Sequence, residues 1–330
     1  MASKIRWSLP EGVDELLPPK ALQVEKIRRR LIDLYVDSGY QFIIPPLLEL
    51  SETLGGEAHE ELQEYAFTFK DDLSGKDLSI RPDISEQASR IDAYRIESKE
   101  IVKLCYVGDV VKRKVSKVLR SRTSIQAGAE IFGDSSIEAD ASSINLMIES
   151  LQSLGIDKLT LSLGHAGLVS LAMDQFSELP EELFKDLELA VAKKSASDIN
   201  SILSKENEEQ VNSLIGLTKL YGGIETIEKS RKILGPLGSE AIECIDYLSS
   251  LINKLNTNSD VSLYLDLGEV LGFRYHNGVV FSAYTEEAGY SLAKGGRYDG
   301  LRKVDDEKRP AVGFDLDVLA VASFAKLDIT

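Results

Sequence analysis

The sequence predicts an α+β fold, a mostly antiparallel sheet flanked by helices, with a helical insertion. Three observations carry this. Runs at 78–85, 104–112 and 123–132 alternate apolar and polar residues with the period of two that strands require. From 166 to 257 that alternation vanishes, and amphipathic segments are separated by Pro180, Gly222-Gly223 and Gly235-Pro236-Leu237-Gly238. Strand patterns return at 261–267, 278–284 and 290–294. The expected layout is one discontinuous core, 1–165 plus 258–330, interrupted by a helical insertion at 166–257.

Taken in order, the proline-punctuated lead-in LPEGVDELLPP places Pro18 and Pro19 where a helix starts. Across 20–37, Val24, Ile27, Leu31, Leu34 and Tyr35 fall at helical spacing, and Gly39 stops the helix. YQFII then reads as a strand running into Pro45-Pro46; Pro46 has no N–H, so this strand belongs at an edge or an interface. The acidic stretch 51–66 reads as helix or loop. A helix is predicted at 137–154, with Ile137, Ala141, Ile144, Ile148 and Leu151 on one stripe, and a strand at 158–164. A last helix is expected at about 315–327, with Asp315 as a cap.

Composition narrows the function. The chain of 330 residues carries 54 acidic against 38 basic residues, a net charge of −16. Nucleic-acid affinity rests on lysines and arginines that displace counterions, so this balance argues against such a partner. No apolar run approaches the roughly 20 residues of a membrane span. The start, MASKIRWSLPEG, lacks the apolar core of a signal peptide, and a cytoplasmic location is expected. Cys105 and Cys244 read as packing residues, and no metal or cofactor motif is present.

Several motifs carry chemistry. In Arg81-Pro82-Asp83-Ile84-Ser85, extended backbone would point Asp83 and Ser85 the same way, suited to an ammonium group; the alternative is a strand end turning into a capped helix. In IQAGAEIFG, alternation puts Gln126, Gly128 and Glu130 on one face. Gln126 and Glu130 then stand roughly 13 Å apart with only a glycine between, a slot for a small zwitterion or else a half-exposed polar face. His276 follows Tyr275 before a turn, and alone it reads as structural. Lys112, Arg113, Lys114, Lys117, Arg120 and Arg122 place six basic residues in eleven at a hairpin tip. That tip is a solvated loop or a contact for an anion or partner. Finally, Gly295-Gly296-Arg297-Tyr298-Asp299-Gly300-Leu301 brings bare backbone close to a ligand beneath large polar side chains.

In order and rough spacing, the lead-in, the helix and strand ending at Pro46, RPDIS, QAGAE, Tyr275-His276 and GGRYDGL resemble the core of histidyl-tRNA synthetases. The likeness covers nearly the whole chain. It implies a class II aminoacyl-tRNA synthetase-like fold whose first motif forms a dimer interface. It also implies a histidine pocket in which Asp83 and Ser85 meet the amino group and Gln126 lies near the amino and carboxylate ends. Glu130 would accept from the imidazole, and Tyr275, His276 and Tyr298 would complete the wall. His276 stands where the synthetases have a second tyrosine, and Asp83 where they have a glutamate. Leu271 replaces an arginine that faces the carboxylate, leaving Arg274 or Arg297 to compensate.

The departures form a pattern. Lys112-Arg113-Lys114 replaces the ATP-gripping motif, and Leu319-Ala320 replaces the Glu-Arg of the third motif. Without fixed arginine clamps on the phosphates, adenylation would slow by several powers of ten. No anticodon-binding domain is expected after that motif. The combination is similar to the regulatory subunits of ATP phosphoribosyltransferase, paralogues of the synthetases. That resemblance implies a non-catalytic homodimer within a hetero-octamer, partnered by the short-form catalytic subunit. It would be required for that subunit's activity and for feedback inhibition by L-histidine in the first step of histidine biosynthesis. The alternatives are a tRNA-independent histidine-activating ligase or truncated synthetase, and a tRNA-sensing module.

Overall fold

The computed structural model describes residues 8–54, 60–115, 120–257, 259–270, 275–300, 303–304 and 307–327. The chain opens with α1 (Lys20–Asp37), β1 (Gln41–Phe42), β2 (Leu48–Leu50), α2 (Glu60–Tyr65), β3 (Phe67–Lys70), β4 (Asp77–Ile80) and α3 (Ser85–Ile91). Then come β5 (Val102–Val111), β6 (Thr123–Phe132), α4 (Ile137–Gln152) and β7 (Leu159–His165). A helical block follows: α5 (Ala166–Asp174), α6 (Glu181–Ala192), α7 (Ala196–Ile202), α8 (Glu208–Leu217), β8 (Tyr221–Gly222), α9 (Thr226–Leu234) and α10 (Ser239–Ile252). The chain closes with β9 (Val261–Asp266), β10 (Val279–Tyr284), β11 (Ala293–Arg297), β12 (Lys303–Val304), β13 (Glu307–Lys308), β14 (Ala311–Asp317) and α11 (Val318–Val321).

Nine strands form the main sheet in the order β1-β5-β6-β14-β11-β10-β7-β9-β8. The β1–β5 and β7–β9 pairs are parallel and the other neighbours antiparallel. A second sheet, β2-β4-β3, stands apart from it.

The period of two gives the main sheet two different faces. Ile125, Ala127, Ala129 and Ile131 of β6 pack with Ile27 and Leu31 of α1 and with Ile144 and Met147 of α4. The same cluster runs on through Leu187, Leu214 and Leu248, so the helical block shares its core with the sheet. The opposite face carries a smaller cluster of Ile84, Leu104, Tyr106, Phe132 and Tyr298. In α1 the buried stripe is Val24, Ile27, Leu31 and Tyr35, and Gly39, at φ +85, ends the helix in the left-handed region.

Four local expectations are corrected. Residues 311–317 form a strand, so the helix expected at 315–327 shrinks to Val318–Val321, capped by Asp317 rather than Asp315. Filling the slot between β6 and β11 satisfies both edges of this segment's backbone, which a helix there would leave unmatched. The strand expected at 78–85 stops at Ile80, and α3 begins at Ser85. Pro82 has no N–H to donate to a ladder, and Asp83 accepts the Ser85 N–H at 2.8 Å, so the backbone turns instead of extending. The strand expected at 290–294 runs from Ala293 to Arg297, and YQFII keeps only Gln41–Phe42 as edge strand β1.

Candidate functional site

The site lies on the sheet face away from α1 and α4. At its centre Glu130 of β6 is 1% exposed. The Tyr106 hydroxyl donates to Glu130 Oε1 at 3.0 Å, and the Tyr298 hydroxyl donates to Oε2 at 2.7 Å. The Tyr106 hydroxyl also lies 2.8 Å from Ser85 Oγ at the start of α3. Register explains the convergence: Glu130 faces Gly313 of β14, where a Cβ would sit 1.5 Å from Oε2. Only a glycine leaves the carboxylate room to lie across the strand.

Beside Glu130 is a second polar group. Gln126 donates from Nε2 to Asp83 Oδ2 at 2.8 Å and accepts the Ile84 N–H at 2.8 Å. The turn that ends β4 is thereby fastened to β6, and Asp83 is presented to the pocket. Asp315 of β14, opposite Gly128 and close to Gln126, adds a further carboxyl. Aromatic rings wall one side. The Tyr275 ring is 4.9 Å from that of Tyr298 and 4.9 Å from that of His276, and His276 lies against the backbone of Gly296.

The electrostatics are those of a carboxyl cluster held by neutral donors. Burial lifts Glu130 to about 8 against the pull of the tyrosine and serine hydroxyls. Burial likewise lifts Asp315 to about 6, opposed mainly by Lys294. The hydroxyls of Tyr106, Tyr275 and Tyr298 are pushed well up by the same desolvation and stay protonated donors. Such a pocket suits a small guest with its own N–H donors and positive charge.

Asp83, Ser85, Gln126, Glu130, Tyr275, His276 and Tyr298 are thus brought together. Arg297 is not. It pairs with Val312, which pairs with Ile131, and so it belongs to the helix-packed face, where its guanidinium binds Asp140 and Asp299. Arg274, Leu271 and Lys117 lie outside the described residues. The open slot expected over Gly128 is filled: a Cβ there would meet the Tyr106 hydroxyl at 2.4 Å. In the basic loop, Lys112, Arg113 and Arg120 are exposed. Lys114 pairs with Glu64 and sits over the Tyr65 ring, while Arg122 bonds the Arg113 carbonyl and lies over Phe67. Sequence reasoning missed Tyr106, Asp315 and Lys294, which strand register alone places on this face. Both cysteines are poor nucleophiles, burial raising the thiols of Cys105 and Cys244 to about 12 and about 11. Among the described residues no helix is long and apolar enough to cross a membrane.

The fold is that of the class II aminoacyl-tRNA synthetases, and the histidyl-tRNA synthetase family model matches residues 12–321. A solved structure from Bacillus halodurans, described as an ATP phosphoribosyltransferase regulatory subunit/histidyl-tRNA synthetase, is similar with a TM-score of 0.85 and 25% identity. That match covers 99% of this chain and 85% of the other. Among curated proteins, the ATP phosphoribosyltransferase regulatory subunit of Thiobacillus denitrificans is 38% identical, covering 97% of this chain and 98% of that one. Its counterpart in Teredinibacter turnerae is 36% identical, over 97% and 82%. The chain belongs to the family of ATP phosphoribosyltransferase regulatory subunits.

Proposed function

We propose that this chain is a non-catalytic regulatory subunit that works with a short-form ATP phosphoribosyltransferase catalytic subunit and holds L-histidine in the Glu130 pocket. The observation that carries the reading is a buried carboxyl with one oxygen on each of two tyrosine hydroxyls, and an Asp83–Gln126 pair beside it. Glu130 accepts the imidazole N–H, and Asp83 with Gln126 and Ser85 receives the amino group. Tyr275, His276 and Tyr298 close over the ring. Family membership supports the regulatory role, and histidine as end product fits feedback on the first step of its own synthesis. Replacement of the synthetase ATP-gripping motif by Lys112-Arg113-Lys114, and of its third-motif Glu-Arg by Leu319-Ala320, supports a pocket that binds without activating.

Regulation then follows from differential affinity. Histidine favours one arrangement of the dimers in a hetero-octamer, the catalytic subunit works in another, and the coupling is reciprocal, typically about 1–3 kcal/mol. The test is to mix the two purified proteins and assay phosphoribosyl transfer with and without histidine. Transfer should depend on this chain and fall when histidine is added. Glu130→Gln should keep the activation and lose the inhibition. Histidine-dependent exchange of pyrophosphate into ATP by this chain alone would instead identify an activating enzyme.

A further inference from the structure

A zwitterion needs a cation as well as acids; of the two arginines expected to supply it, Arg297 is on the wrong face and Arg274 lies outside the described residues. Strand register offers another. Lys294 of β11 stands opposite Asp315 of β14, Asp315 stands opposite Gly128 of β6, and Gly128 stands opposite Tyr106 of β5. Directly paired residues share a face, so Lys294 rises from the same surface as Glu130. It is two strands across and two residues along from Glu130. At about 4.8 Å per strand and about 3.4 Å per residue, the two Cα atoms are roughly 12 Å apart. The Glu130 carboxylate lies over Gly313, one strand and two residues from Lys294, or roughly 8 Å along the sheet. A lysine that stands up from the sheet rather than reaching inward therefore leaves a small amino acid room between them.

The state of the lysine fits this use. Lys294 is exposed, and among the described residues its ammonium makes no ion pair or hydrogen bond. It is nevertheless the strongest influence opposing the rise of the Asp315 carboxyl, ahead of Lys112 from the end of β5. The Lys294 ammonium is therefore near enough to act on the Asp315 charge.

We propose that Lys294 receives the α-carboxylate of the amino acid whose side chain Glu130 holds, with the ligand's ammonium between Asp83 and Asp315. This rests on the histidine reading of the pocket. The ligand lies diagonally across β6, β14 and β11, acids at the ring and amino ends and a lysine at the carboxylate. The lysine replaces an arginine clamp with a flexible point charge, which holds a carboxylate without fixing a phosphate in line with it.

The experiment is calorimetric titration of the full chain, wild type and variants, with L-histidine and with histamine, which lacks the carboxylate. Wild type should prefer histidine by tenfold or more. Lys294→Met should weaken histidine by about tenfold and leave histamine unchanged, while Lys294→Arg retains the preference. Because Lys294 is exposed, an unchanged melting temperature should accompany both variants. If Lys294→Met keeps the full preference for histidine, the lysine is a solvated surface residue and the proposal fails alone. If it weakens inorganic pyrophosphate and not histidine, the cation serves a phosphate and the proposal is again overturned. Wild type that binds neither histidine nor histamine would overturn the histidine reading and this proposal with it.

Discussion

Strand β11 and its flank set two buried ionic clusters back to back, one on each face of the sheet, and they are finished differently. On the helix-packed face, Arg297 donates through Nε to Asp140 at 2.9 and 3.2 Å and through Nη1 to Asp299 at 2.9 Å and the Asp134 carbonyl at 3.1 Å. Tyr247 of α10 also donates to Asp140, which is fully buried. On the other face, Glu130, Asp83 and Asp315 are held by hydroxyls, an amide and backbone N–H groups. Burial raises Asp140 as well, to about 6, but a fixed guanidinium pulls against that rise, whereas Glu130 has only neutral donors and reaches about 8. A carboxylate closed by an arginine is a strut. One held by hydroxyls keeps its affinity for a positively charged guest.

The largest effect should come from opening the strut. Arg297→Met leaves Asp140 buried without its cation, and the expected loss is about 3–5 kcal/mol of stability by urea denaturation. A loss below about 1 kcal/mol would mean the closed cluster is no more structural than a surface pair. Next is Glu130→Gln, which keeps shape and removes the ability to ionise against a positively charged guest. Histidine affinity should fall about a hundredfold, since a hydrogen bond to a charged group contributes about 1.5–3 kcal/mol. Stability at pH 8 should stay level or rise. Destabilisation on the scale of Arg297→Met would erase the contrast between the two faces.

The pH dependence sharpens it further. Glu130 is raised from 4.5 to about 8, so between those values the folded chain holds a proton that the unfolded chain has released. Its contribution is complete below pH 4.5 and declines as the pH climbs towards 8. Asp140 and Asp315 behave alike but only up to about 6, so the interval from pH 6 to 8 separates Glu130 from both. There, ligand-free wild type should lose up to about 1.4 kcal/mol per pH unit relative to Glu130→Gln. Parallel stability curves for the two proteins would show that Glu130 is ordinary.

Much of this was legible in the sequence, and the omissions have a common cause. The apolar stripe of α1 and the alternation of β6 gave the two faces correctly, because each is a local period. Even the placement of Arg297 was available locally, since alternation cannot put both Arg297 and Tyr298 on the pocket face. Tyr106 and Lys294 were out of reach, because which residue stands opposite Gly128 or Asp315 depends on register between distant strands. The Asp315 segment misled for a related reason: its end resembles a capped helix, and only its place between β6 and β11 makes it a strand.

The smallest expected effect makes the finest comparison, because the same atom can be removed from each face. Tyr106→Phe deletes the hydroxyl between Ser85 and Glu130 Oε1 and keeps the ring that fills the space over Gly128. One oxygen of a buried carboxylate then lacks its donor, at a cost of about 1 kcal/mol, and the Glu130 carboxyl rises further. Histidine should bind about fivefold more weakly at pH 7, with the deficit narrowing at pH 9 as Glu130 ionises. Tyr247→Phe deletes the matching hydroxyl from Asp140, but Arg297 still holds that carboxylate, so histidine affinity should not move. Equal changes in the two variants, followed by calorimetry at both pH values, would show that the hydroxyls on Glu130 are structural and that the pocket face is as closed as the other.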